Sequence, residues 1–268
     1  MILTLYKIGV KTYFRNSTSL FWSFGFVLIW IFIYAYAFPY PAKSSLYGVE
    51  SSYLSFILLF GISIVSTSVI FYTVSTNLSS PYIIRFDSPR SHEIGISTVL
   101  SSITFGLSVA IFSIISSLLI FLFRFGSIKI EKPLFLIIVV ILISAFYITL
   151  GILMSYIFTL LKQVKALKFA SEIPMILVFI FVLALQIFRI PEKNLIYVSP
   201  FNEEFTLSLY SLLGNGVISY YPFTVNIYYV FLFLILWIIC IIIITLILER
   251  IYEKSDIRGQ YSLEDVFR

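Results

Sequence analysis

Six stretches of this chain contain no Lys, Arg, Asp, Glu or His: 19 to 38, 53 to 76, 97 to 123, 133 to 161, 174 to 188 and 225 to 248. A helix needs about 20 apolar residues to cross roughly 30 Å of hydrocarbon, so runs of this length make lipid the solvent for most of the chain. Composition agrees: 60% of the 268 residues are apolar and 12% charged, against about 45–50% and about 25% in soluble domains. The 28 Phe, 19 Tyr and 3 Trp exceed what one water-soluble core can hide. A water-soluble globular enzyme is excluded. The expected fold is an all-α integral membrane protein with six transmembrane helices. The fifth run reaches only about 22 Å and the fourth about 43 Å at 1.5 Å per residue, so the fourth is expected to tilt or to project into water. All nine prolines fall between runs or on a first residue, which predicts continuous helices.

Charge placement sets the expected orientation. With the N-terminus inside, twelve Lys and Arg are cytoplasmic and six (Lys43, Arg124, Lys129, Lys132, Arg189 and Lys193) are external. That satisfies the positive-inside rule and puts both termini, including the tail 249–268, in the cytoplasm of a multi-pass cell-membrane protein. The net charge of +5 lies in short clusters that flank apolar runs, which points to membrane lipid rather than nucleic acid as the partner. A cleavable leader ending at Ala35-Tyr36-Ala37 competes for the first run, but that run is longer than a signal core and five more follow it. Cys240, the single cysteine, lies inside an apolar run and reads as packing.

Residues 1 to 15 predict an amphipathic interfacial helix. At 100° per residue Lys7, Lys11 and Arg15 share one face, while Ile2, Tyr6, Gly9, Val10 and Tyr13 cluster opposite. Between the fifth and sixth runs, Ser199 can cap a helix opening at Pro200, with Glu203 and Glu204 near its positive end. Phe201, Phe205, Leu209 and Leu212 form one stripe, and Gly214-Asn215-Gly216 ends it. This segment is expected to be a short external helix, either re-entrant in the outer leaflet or lying on the bundle surface.

Chemistry that the runs lack narrows the function. Proton- and sodium-coupled carriers place ionisable groups near the midplane, and the six runs hold none. The few aspartates are scattered, so no carboxylate cluster for magnesium and no catalytic, metal or cofactor residues are expected. His92, the sole histidine, reads as a solvated loop residue. No glycine-rich phosphate loop occurs, so ATP cannot be bound by this chain itself. Serines and threonines crowd the second and third runs, where they either let helices approach closely or line a substrate path.

The layout resembles the membrane subunit of type-2 ATP-binding cassette exporters, the ABC-2 fold. Arg15-Asn16 followed by Phe21-Trp22-Ser23-Phe24 is similar to the family's entry to the first span, although Phe26-Val27-Leu28-Ile29 has valine where proline is common. Ser88-Pro89-Arg90-Ser91-His92-Glu93 is similar to the polar stretch after its second span. The C-terminal Ser262-Leu263-Glu264-Asp265-Val266-Phe267 looks like a segment of the ATPase subunits instead. The resemblance implies a permease half without ATPase motifs, paired with a second permease copy or homologue and with an ABC ATPase subunit that binds the ATP. The cargo it suggests is amphipathic, lipid-like or drug-like. The loop from 77 to 96, with Arg85, Asp87, Ser88, Pro89, Arg90, His92 and Glu93, is the expected ATPase-coupling loop. Tyr6, Lys7, Lys11, Tyr13 and Arg15 mark the interfacial helix. A secondary carrier or channel, or a structural or assembly membrane protein, is the alternative.

Overall fold

The computed structural model describes residues 1–37, 46–87, 91–126, 129–161, 169, 171–183, 193–216 and 224–254, and no strand occurs among them. The helices are α1 (Ile2–Arg15), α2 (Ser17–Ala37), α3 (Leu46–Asp87), α4 (Ser91–Phe125), α5 (Pro133–Leu160), α6 (Ile173–Val182), α7 (Lys193–Val198), α8 (Pro200–Leu213) and α9 (Ile227–Lys254). Five of them, α2, α3, α4, α5 and α9, contain segments long and apolar enough to cross a membrane. The chain is a multi-pass, all-helical membrane protein. The fifth expected span appears as α6, whose Ile173–Val182 segment is too short to cross by itself, and residues 184–188 lie outside the described residues.

Asn16 makes the turn from α1 into α2. Its backbone leaves the helical region at φ −80° and ψ 103°, and its side-chain oxygen accepts from the Ser19 N–H at 3.1 Å. A short polar side chain at this position satisfies one of the donors that every helix start leaves open. Above it, α2 contains wide π turns at Phe21–Phe26 and Ile33–Ala37.

α3 is the axis of the bundle. Its span is 89% buried against 22% for α9, and it touches α2, α4, α5, α6 and α8. The outer helix α9 is the more apolar of the two, but lipid and protein interior are both apolar, so an apolar run does not by itself say which helix is central. Small residues set how closely neighbours approach it. A Cβ added at Gly151 of α5 would stand 3.0 Å from the Ser66 carbonyl oxygen and 3.3 Å from Val69. On the opposite flank Trp30, Phe56, Phe60 and Phe179 interlock, with ring centroids 4.9 to 6.2 Å apart. Many of the serine and threonine hydroxyls donate to carbonyls one turn back in their own helix, as Ser63 does to Phe60 and Ser113 to Val109, each at 2.8 Å. Bonded in this way, they serve close packing.

Three expectations need correction. The run 53 to 76 is the apolar part of a 42-residue helix that continues through Pro81 to Asp87, so Pro81, although it falls between two spans, lies inside a helix. Likewise α4 starts at Ser91, so the expected loop from 77 to 96 is helical on both sides of 88–90, which lie outside the described residues. The end of an apolar run marks where lipid contact ends, whereas hydrogen bonding along the backbone continues into water. Cys240 is exposed on the outer face of α9 and packs no core.

Gly151→Leu is expected to destabilise the folded protein by about 1–3 kcal/mol through overpacking, because backbone blocks the new side chain. Gly48→Ala meets nothing within 4 Å and should leave the melting temperature in detergent unchanged. Equal melting temperatures for the two variants would refute this account of the α3–α5 contact.

Candidate functional site

The lower end of the bundle, where α3 and α5 finish, gathers three features. The first is α1. Its 14 residues place Gly9 and Tyr13 in the interior and leave Lys7, Lys11 and Arg15 exposed. The apolar face rests on α4: Tyr6 and Thr104 hydroxyls pair at 3.1 Å, and Tyr13 and Ser102 at 2.8 Å. The Tyr13 ring stacks on Phe105 with centroids 4.8 Å apart. Gly9 allows this seat, since a Cβ there would stand 2.5 Å from the Tyr72 hydroxyl and 2.6 Å from Ser101 Oγ. The face that reads as lipid-directed in sequence is therefore spent on protein. Exposed Leu3, Ile8 and Phe14 remain as its apolar outer surface.

The second feature is the hairpin of α3 and α4. From Asn77 to Asp87 the α3 backbone extends about 16 Å past its apolar segment at 1.5 Å per residue. Arg85 and Asp87 lie on this extension, and His92 and Glu93 lie on the first turn of α4. Ser88, Pro89 and Arg90 lie outside the described residues. The expected coupling residues are thus carried by two helices converging on a short connection.

The third is a cleft of about 520 Å³ between α3, α4, α5 and α9. Its rim holds Val99, Leu100, Ile242 and Leu246, all exposed on the bundle's side. Within are Thr73, Thr98, Thr149, Thr245, Asn77 and Glu249. Thr98, Thr149 and Thr245 donate to their own helices at 2.9, 2.8 and 2.7 Å, which leaves their oxygens as acceptors. Gly95 leaves room beside Glu249, whose Oε1 would stand 4.0 Å from a Cβ placed there. An apolar mouth with a polar floor suits an amphipathic molecule entering sideways.

Sequence reading missed the chemistry of α8. This helix is no surface element: every residue from Phe201 to Leu209 is buried. It runs inward beside α5. The Glu131 and Lys132 N–H groups donate to the Leu212 and Ser211 carbonyls at 3.1 and 2.9 Å, and Tyr47 donates to Leu212 as well. At the other end, the Phe201 ring lies 5.8 Å from Phe146 and 5.5 Å from Phe181. Phe146 stands half way along Pro133–Leu160, so α8 begins near mid-depth. Pro200 suits that start because it brings no N–H that would need a partner. Ser199 contributes its carbonyl, which accepts from the Asn202 and Glu203 N–H groups, and its hydroxyl makes no capping bond. Glu203 and Glu204 follow immediately, both 0% exposed. Burial raises both carboxyls above the ordinary carboxylate range. The absence of ionisable groups from the apolar runs therefore does not hold for the interior, because a segment between runs delivers them there.

In comparison with known proteins, no family model matches this chain and no curated sequence matches it.

Replacing both Tyr6 and Tyr13 with Phe should cost about 0.6 kcal/mol for each interhelical hydroxyl bond and leave α1 seated. Gly9→Leu should instead lift α1 from α4 and loosen its helix, so that the backbone at the already exposed Lys7 and Lys11 becomes cleavable by trypsin. Trypsin resistance of the Gly9→Leu protein equal to wild type would show that the seat does not depend on this close approach.

Proposed function

We propose that the chain is the membrane-spanning permease subunit of an ATP-binding cassette transporter, moving an amphipathic, lipid-like or drug-like molecule outward with ATP hydrolysed by a separate subunit. The observation that carries this reading is the helical continuity of α3 and α4 beyond their apolar segments. Helix continues to within a few residues of the connection at 88–90, at the end of the bundle that also holds α1 and the cleft. A displacement applied near Arg85, Asp87, His92 and Glu93 reaches the cleft wall at Thr73, Asn77 and Thr98 along rigid helix. That geometry suits a partner that pushes, such as an ATPase docked by charge-assisted contacts. In this reading both termini and the hairpin tip are cytoplasmic in the cell membrane. A second permease copy or homologue completes the path, and α1 with its Lys7, Lys11 and Arg15 borders the lipid headgroups. No bound cofactor is required, since ATP belongs to the partner.

A second reading, a secondary carrier, draws on one observation, the carboxyl pair buried on α8. The two part company over the ATPase. Pull-down of the full chain in mild detergent should recover an ATPase, and efflux of amphipathic dyes from vesicles should require ATP. Reversing Arg85 and Arg90 to Glu should leave the chain inserted but weaken ATPase recovery roughly 10-fold or more, as loss of charge-assisted bonds predicts. Inserting three glycines after Asn77 should keep the ATPase bound while dye efflux fails. Dye efflux that is independent of ATP, with no ATPase recovered, would overturn the exporter reading.

A further inference from the structure

The interior of the upper half carries an electrostatic imbalance. Glu203 and Glu204 are wholly enclosed on α8, and neither carboxyl has a hydrogen-bond partner among the described residues. Among the described residues, the elements around them supply little positive charge. On α3 the facing half holds Tyr47 and the buried Glu50; on α5 stand Tyr147 and, at the rim, Glu131 and Lys132. α7 brings Tyr197 and the backbone of Lys193, α6 brings no titratable group among the described residues, and α9 along its apolar span brings Tyr228 and Tyr229 at its exposed start and Cys240 on its exposed outer face. Lys132 lies over the Tyr210 ring at 3.7 Å, six residues or about 9 Å along α8 from Glu204. Two adjacent carboxylates in such a setting cannot both stay ionised, because desolvation and mutual repulsion act in the same direction.

A second group points at the same place from another helix. The Tyr147 side chain of α5 is fully buried and stands beside Glu204, and its hydroxyl closes no hydrogen bond of normal geometry among the described residues. On α8 itself Ser208, one turn from Glu204, is also buried, and its hydroxyl has no hydrogen-bond partner among the described residues. We propose that Glu203 and Glu204 form a proton-binding site at mid-depth, loaded at low pH and emptied as pH rises, with Tyr147 positioning the Glu204 proton. On loading, water gives up a proton and a carboxylate oxygen gains an O–H bond; on release the same bond breaks and water takes the proton. This site works alike in a chain driven by ATP and in one driven by an ion gradient, so it stands apart from the exporter reading. The sign follows from burial. A carboxyl held protonated in the folded state stabilises that state at low pH, and the stabilisation falls as pH rises through its raised pKa.

The test uses the full chain in lipid nanodiscs. Infrared spectra should contain protonated-carboxyl bands at about pH 6 that diminish by about pH 10, and Glu203→Gln and Glu204→Gln should each remove intensity that replacement of the exposed Glu172 by Gln does not. Dicyclohexylcarbodiimide, an apolar reagent for protonated carboxyls, should modify the peptide carrying these residues at least roughly 10-fold more at the lower pH. Both Gln variants should melt at or above the wild-type temperature, because an amide replaces a neutral acid without adding charge. Tyr147→Phe should shift the pH midpoint of the band while leaving its amplitude at low pH. Spectra of wild type and the Glu203→Gln and Glu204→Gln variants that coincide at about pH 6 would overturn the proposal. So would a melting temperature raised by sodium, potassium or calcium in wild type but not in these variants, which would identify a metal-cation site instead. Should a Gln variant fail to fold, the wild-type band and reagent profile decide alone, and a profile flat in pH counts against the site.

Discussion

The bundle is built around α3, on which α2, α4, α5, α6 and α8 pack. A helix in lipid gains nothing from hiding apolar surface, since lipid tails are as apolar as leucine; close packing has to hold it instead. Gly151 and Gly61 let α5 and α4 approach α3 to backbone distance, with Ser66 and Ser113 as the groups they meet. The aromatic block of Trp30, Phe56, Phe60 and Phe179 fills the other flank. α9, by contrast, shows most of its apolar surface to lipid, including Tyr228 and Tyr229 at its start. A rigid axis surrounded by looser outer helices is a geometry in which force on one helix end moves whole walls.

The lower end turns that geometry toward function. α1 is clamped to α4 through Tyr6 and Tyr13, while α3 and α4 run on as helix toward a short connection. The cleft lies on the far side of the same two helices. Any partner gripping the hairpin tip therefore acts on α1, α4 and the cleft wall together. The hydroxyl-rich faces of α3 and α4, open to two readings in sequence, largely satisfy themselves within their helices and so provide thin spacing between helices.

α8 solves a different problem. A helix starting at mid-depth would leave unpaired N–H groups in an apolar interior, which is tolerated only where protein encloses them. Proline at its first position, the Ser199 carbonyl and a ring of Phe146, Phe181 and Phe201 provide that enclosure. Its outer end is held by Tyr47 and by the Glu131 and Lys132 N–H groups. Two carboxyls at the inner end are costly, and their neutral form is what makes the seat tenable.

The sequence by itself determined what depends on local composition and period. Five of the six uncharged runs fall on helices long and apolar enough to cross a membrane, since the requirement to pair backbone groups in lipid leaves the helix as their form. The charged face of Lys7, Lys11 and Arg15 likewise pointed to a helix over residues 1 to 15. Tertiary structure decided which apolar surfaces meet protein and which meet lipid, because both environments select the same residues. It decided that Tyr6 and Tyr13 face α4, that α3 and not α9 is central, and that helix persists past Pro81. It also decided that Glu203 and Glu204, which lie outside every apolar run, are folded into the interior. Hydropathy reports whether a segment can sit in lipid; only packing fixes how deep a segment between runs is carried.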